Sequence, residues 1–349
     1  MSKARRVFAS PSCICLIGGG DIMVETARMV SARGIAAFAV VAPRHAGEAL
    51  QGEAGTLSEN LRAIGVPCHE TEDIGALDSW PHASMPGSAK LALCFGPAWI
   101  FPPHVRDLFE QGMYNLNLIP QPRYLGGAHY TWQIMNGDKS GACVLQEITH
   151  ELDLGDILLN EPFAITEDAR LPIHYFEQNL AAGKSFMSRV IERIIDGEPF
   201  EVAPYDDLAR SRLYLPRLLT DLHGIVDWRW QAMKIVRFCC AFDTPYPGAT
   251  SWLNGEAVRL RDVSLAEDVD EAPMHPFAAG LVLRAEPDHV LVAAPGGFIT
   301  VASVEDADGA NLVPKIRDGW RFTADPTALA QALATRAKVS ATGPAISEN

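Results

Sequence analysis

The chain has 349 residues, more than one typical core accommodates, so two domains are expected, each large enough to fold without crosslinks. A formal charge of −14 works against partners gripped through their phosphates, large RNA substrates above all. The seven cysteines form no pair of CxxC motifs, so neither a disulfide framework nor a metal site is indicated, and a reducing cytoplasm is the expected compartment.

Residues 13–17 (Cys-Ile-Cys-Leu-Ile) are too short for a signal h-region and end in glycines, so they read as a strand. No run reaches the roughly 18 apolar residues of a membrane span, and a soluble protein is expected. After Gly18-Gly19-Gly20, the residues Ile22, Thr26, Met29 and Val30 recur at helical spacing, giving strand, tight turn and helix. Such a turn can face a phosphate. The third glycine of the dinucleotide fingerprint is missing, however, and Pro43-Arg44 stands where an acid would hold a ribose. A nicotinamide enzyme is therefore disfavoured, and a plain strand-to-helix turn is preferred.

Residues 35–41 form a second β-rich run, 55–64 a helix and 66–68 a short strand. Further strands are predicted at 90–95, 114–119 and 142–149. A long helix follows, with Phe176, Leu180, Met187, Val190, Ile191 and Ile194 on one face, stopped by Gly197-Glu198-Pro199. Strands alternating with helices predict an α/β domain, Rossmann-like, with a parallel-rich sheet. Beyond a helix at 228–242 come short β-like runs at 258–261, 280–284, 289–292 and 298–301, the pattern of a small OB-like β-barrel. The expected division is an N-terminal domain over 1–205, a linker over 206–216, the barrel over 217–328, and a terminal helix and disordered tail over 329–349, the tail composition setting in at Lys338.

Three linked motifs carry a family resemblance: Leu93-Cys-Phe-Gly-Pro-Ala-Trp-Ile-Phe-Pro102, Asn115-Leu-Asn-Leu-Ile-Pro-Gln-Pro-Arg-Tyr-Leu-Gly-Gly127 and Glu151-Leu-Asp-Leu-Gly-Asp156. In content, order and spacing they resemble the folate-dependent formyltransferases. Gly224-Ile-Val-Asp-Trp228, residues 241–248 and Ser251-Trp-Leu-Asn254 resemble the C-terminal domain shared by methionyl-tRNA formyltransferases and some amino-sugar formyltransferases. The resemblance implies that Asn115 and Asp153 are catalytic, and that Asn117 stands where the family has histidine. It implies a folate pocket lined by Phe95, Gly96, Trp99, Ile100, His150, Leu152 and Asp156, with 10-formyltetrahydrofolate as formyl donor and no metal. Leu125 replaces the family's usual arginine.

An amine attacking the formyl carbon creates an oxyanion that needs a donor in place, a role for Asn115. The proton leaving the amine suits a carboxylate of raised pKa, a role for Asp153. An amide at 117 can donate but cannot take up a proton. Three readings stay open: Asn117 acts as auxiliary donor, His129 or His150 fills the gap, or formyl transfer is lost. The segment 42–60 offers only Arg44 to an acceptor stem, so a small amine or nucleotide-linked amino sugar is preferred over tRNA, with Gly19, Tyr124, His129, Tyr130 and Trp132 as candidate substrate residues. Methionyl-tRNA formylation, hydrolysis of the donor and folate binding without turnover are the alternatives, and monomer and homodimer both stay open.

Overall fold

The computed structural model describes residues 4–76, 90–151, 153–205, 209–266, 269, 272–340 and 343–347. The N-terminal elements are β1 (Arg5–Arg6), β2 (Cys13–Gly18), α1 (Asp21–Ala32), β3 (Ala36–Val41), α2 (Pro43–Ala46), α3 (Leu57–Ala63), β4 (Cys68–Glu70), β5 (Leu91–Phe95), α4 (Pro103–Arg106) and β6 (Met113–Asn117). They continue with β7 (Leu125–Gly126), α5 (His129–Asn136), β8 (Ser140–Glu147), β9 (Ile157–Ala164), α6 (Pro172–Ile195) and β10 (Phe200–Glu201).

Seven strands form one sheet in the order β4-β3-β2-β5-β6-β8-β9. The first five are parallel, β8 runs antiparallel to β6, and β9 antiparallel to β8. Strand β2 is buried at every position, as a strand covered on both faces must be. Its Ile14 and Leu16 join the core under α1 and α6, while Cys13, Cys15 and Ile17 face Phe101, Val105 and Phe109 on the other side. The order reverses between β2 and β5, so their C-terminal ends open the crevice where open α/β sheets bind ligands.

The second half contains β11 (Tyr214–Leu215), α7 (Thr220–His223), α8 (Ala232–Ala241), β12 (Ala249–Leu253), β13 (Glu256–Leu265), β14 (Val282–Ala285), β15 (Val290–Ala294), β16 (Gly297–Glu305), β17 (Phe322–Thr323), α9 (Pro326–Ala334), β18 (Arg336–Ser340) and β19 (Gly343–Ser347). Six strands pair in the order β14-β15-β16-β13-β12-β17. The barrel closes where Val282 N–H donates to the Trp320 carbonyl and Phe322 N–H to that of Gly280, each at 2.8 Å. Trp228 stacks on Phe322 inside it, and its Nε1–H donates to Ser251 Oγ at 3.0 Å.

The α/β domain and the barrel stand as read from the sequence, with differences of detail. Phe176 is 36% exposed and lines a cleft, so the apolar stripe of α6 is wider than its core contact. The strand expected at 66–68 lies at Cys68–Glu70, and the helix expected at 228–242 occupies only Ala232–Ala241, because Asp227 turns back to bind Arg229. Strand β9 was not foreseen: only two of its eight residues are buried and it contains Pro162, which a sheet tolerates only at its edge. Within 206–216, β11 pairs in parallel with β7. From Lys338, where a disordered tail was expected, the backbone instead forms the β18–β19 hairpin, since backbone pairing does not depend on the apolar content that the composition argument counted.

Candidate active site

Alternation along β6 puts Asn115 and Asn117 on one face and Leu116 on the other. Asn115 lines a cleft with Trp99, Ile100, Gln146, His150 and Asp153, whose free volume is about 50 Å³. Residues from all three motifs therefore meet here. Ile100 is 72% exposed at the rim, and the His150 side chain is 77% exposed. The Trp99 indole is fixed by its Nε1–H, which donates to the Glu72 carbonyl at 2.9 Å.

The two asparagines are oriented by a residue that the sequence reading missed. Gln146 on β8 is buried, and its Nε2 donates to the carbonyls of Asp153 at 3.0 Å and Gly155 at 2.9 Å. Backbone carbonyls only accept, so the Gln146 amide has one orientation and its Oε1 must accept. It accepts from Asn117 Nδ2 at 2.9 Å and Gln121 Nε2 at 2.8 Å. Asn117 is thereby turned, and its Oδ1 accepts from Asn115 Nδ2 at 2.7 Å. One N–H of Asn115 remains available, and its buried Oδ1 has no partner among the described residues. The signal for Gln146 was legible: a lone amide after the buried run Ala142 to Leu145.

Asp153 takes a left-handed backbone conformation (φ 56°), which an aspartate tolerates better than most residues. Burial raises its carboxyl above the ordinary aspartate value, and Arg212 partly opposes the shift. The Tyr205 hydroxyl, buried without a partner among the described residues, feels both Arg212 and Asp153. Neither Arg212 nor Tyr205 was singled out by the sequence.

The remaining candidates disperse. Leu152 lies outside the described residues. Asp156 accepts from the Tyr205 N–H at 3.1 Å, an anchor for the segment beyond the N-terminal domain. Phe95, Gly96 and Gly19 line a second cleft of about 320 Å³ on the Leu116 face, at the crevice between β2 and β5. There the Gly20 N–H donates to Glu48 Oε1 and His45 Nδ1 lies 3.1 Å from Glu48 Oε2, so the N-terminus of α1 is capped by the chain's own carboxylate. A pyrophosphate would have to displace that charge, which counts against dinucleotide binding.

Tyr124 donates to Asp138 Oδ2 at 2.8 Å, Trp132 Nε1–H to the Pro216 carbonyl at 2.8 Å, and Tyr130 packs against the core of the second domain. Leu125, at the position of the family's arginine, fills a small apolar cluster with Ile119 and Tyr205. His129 is pushed down to about 4 by burial and by Arg217, with the backbone at Gly126 and Tyr124 pulling the other way, so it is neutral at pH 7. Burial lowers Arg44, and the neighbouring Arg217 guanidinium lowers it further, while Glu48 opposes the shift. Among the described residues no group of three or more His, Cys, Asp or Glu could hold a metal, and no helix is long and apolar enough to cross a membrane.

Residues 219–315 match the model of the formyl transferase C-terminal domain. A methionyl-tRNA formyltransferase of Geobacter sulfurreducens is 26% identical over 208 residues, 59% of this chain and 61% of that protein. One from Polynucleobacter asymbioticus is 28% identical over 222 residues, 62% and 64% of the two chains, so this chain spans under two thirds of the relatives' length. Among solved structures, an N-formyltransferase from Helicobacter canadensis, in complex with folinic acid and dTDP-3-aminofucose, shares the fold with a TM-score of 0.61 at 14% identity, over 83% of this chain and 98% of that one. A likely sugar N-formyltransferase from Mycobacterium tuberculosis gives 0.55 at 17%, over 74% and 99%. That domain match, those relatives and that shared fold together support placing the chain with the folate-dependent formyltransferases.

Proposed function

We propose that the protein transfers the formyl group of 10-formyltetrahydrofolate to the amine of a small acceptor, with a nucleotide-linked amino sugar as the preferred class. The observation that carries this reading is that Asn115 shares a cleft walled by Trp99 and Ile100 with a partly buried carboxyl of raised pKa, Asp153. The N–H that Asn115 does not spend on Asn117 stabilises the oxyanion formed as the amine adds to the formyl carbon. Its unpartnered Oδ1 accepts from the incoming amine. Asp153 takes the amine's proton, directly or through water, and the folate nitrogen gains one as the C–N bond breaks. Asn117 orients Asn115 and takes up no proton.

Arg44 and Arg217, close enough to repel each other, suit an anionic acceptor, and the −14 net charge disfavours a large nucleic acid. The names of the sequence relatives support methionyl-tRNA as the second reading. The test is turnover of 10-formyltetrahydrofolate with a panel of amino sugars and with methionyl-tRNA. Amine-dependent product, reduced about 10²–10⁴-fold in Asp153→Ala, is the expected result. Formate release without any acceptor identifies a hydrolase. Donor binding with no turnover identifies a folate-binding protein.

A further inference from the structure

A second cavity, of about 360 Å³, opens between α5 and α6 of the first domain and α8 and β13 of the second, and shares no lining residue with the Asn115 cleft. Its walls are apolar where Ile134, Val236 and the ring of Tyr175 meet, yet Lys139, Arg170 and Arg237 all line it, against the single carboxylate of Glu167. In a chain of net charge −14 this local positive excess is unusual. Arg170 is already committed, since its guanidinium donates to the Val263 carbonyl and to Cys240 Sγ. Lys139 stands 5.5 Å over the Tyr175 ring and donates to the carbonyls of Glu167 and Ala169.

Arg237 is different. Its guanidinium lies so close to the backbone at Gly137 that a Cβ there would overlap it, and among the described residues no hydrogen bond or salt bridge engages it. A half-buried guanidinium whose donors go unused is costly unless an anion supplies the acceptors. The flat ring and aliphatic walls beside it suit an apolar body rather than a bare ion.

We propose that this cavity binds a small amphiphilic anion, a phosphate or carboxylate head on a flat apolar body, with the head between Arg237 and Lys139 and the body against Tyr175 and Val236. The lining comes from both domains, so an occupant ties them together and stabilises the junction by an amount that grows with the logarithm of its concentration over Kd.

Calorimetric titration of the full chain with phenyl phosphate tests this. Saturable binding is expected, weakened about tenfold or more in Arg237→Gln. Met233→Trp, at a position 42% exposed on the rim, obstructs entry without removing a charge and weakens binding likewise. Arg284→Gln, an exposed arginine on β14, leaves it intact. Phenylacetate in place of phenyl phosphate distinguishes a carboxylate head from a phosphate, and inorganic phosphate binds more weakly than either. Absence of saturable binding, undiminished affinity in both cavity variants, or loss in Arg284→Gln each overturns the proposal.

Discussion

Asp153 is held in a conflict between function and stability. Its folded pKa lies above the unfolded value of 3.8, so the folded state binds more protons between the two, and stability falls as pH rises through that window. Asp153→Asn removes the buried charge. It is expected to melt higher than the wild type at pH 7, with the difference shrinking toward pH 4, while formyl transfer is lost; a lower melting temperature at pH 7 would contradict the assigned cause. Asn117→His tests the departure from the family pattern. A neutral imidazole can accept from Asn115 and donate to Gln146 just as the amide does, so the network survives. The expected change is a new titration near about 6.5 in the pH profile of kcat, absent from the wild type. An unchanged profile would mean that position 117 acts through geometry alone.

At the scale of elements, the site depends on a join between β6, β8 and the loop after β8, and Gln146 is that join. Gln146→Leu strips the acceptor from two amides and the donor from two carbonyls, all partly or fully enclosed. Each orphaned group costs about 1–3 kcal/mol. Denaturant unfolding is expected to show a loss of a few kcal/mol, with kcat falling more than the donor's KM rises, because Asn115 loses its orientation rather than its place. Equal effects on both would show that the loop, not the asparagine, was displaced. Strand β7 makes a second join: it pairs with β11, and Trp132 grips Pro216 from α5, so the segment following the first domain is tied to the motif that carries Asn115 and Asn117.

For the molecule as a whole, the acidic surface sets how it responds to salt. With a net charge of −14 the folded state carries self-repulsion that added salt screens as the Debye length falls from about 30 Å at 0.01 M to about 10 Å at 0.1 M. The melting temperature is therefore expected to rise over that range, and a fall in a thermal scan would mean that exposed pairs such as Arg28–Glu53 outweigh the general repulsion.

The sequence by itself determined what repeats along the chain or stands in a fixed spacing. Continuous apolar runs specified buried parallel strands, turn-separated β runs specified the barrel, and three motifs led to Asn115 and Asp153, which the fold does bring to one cleft. What only the tertiary structure decided is which polar groups share an enclosed space. Nothing local to Gln146 reveals that its amide is oriented by the carbonyls of Asp153 and Gly155, or that Glu48 closes the end of α1. Tyr130 and Trp132 read as candidates for a substrate cleft, and packing turned them toward the second domain and the segment before it. Periodicity records which face of an element is buried, whereas hydrogen-bond direction and the pKa of a carboxyl depend on partners many residues away, which come together only when the sheet forms.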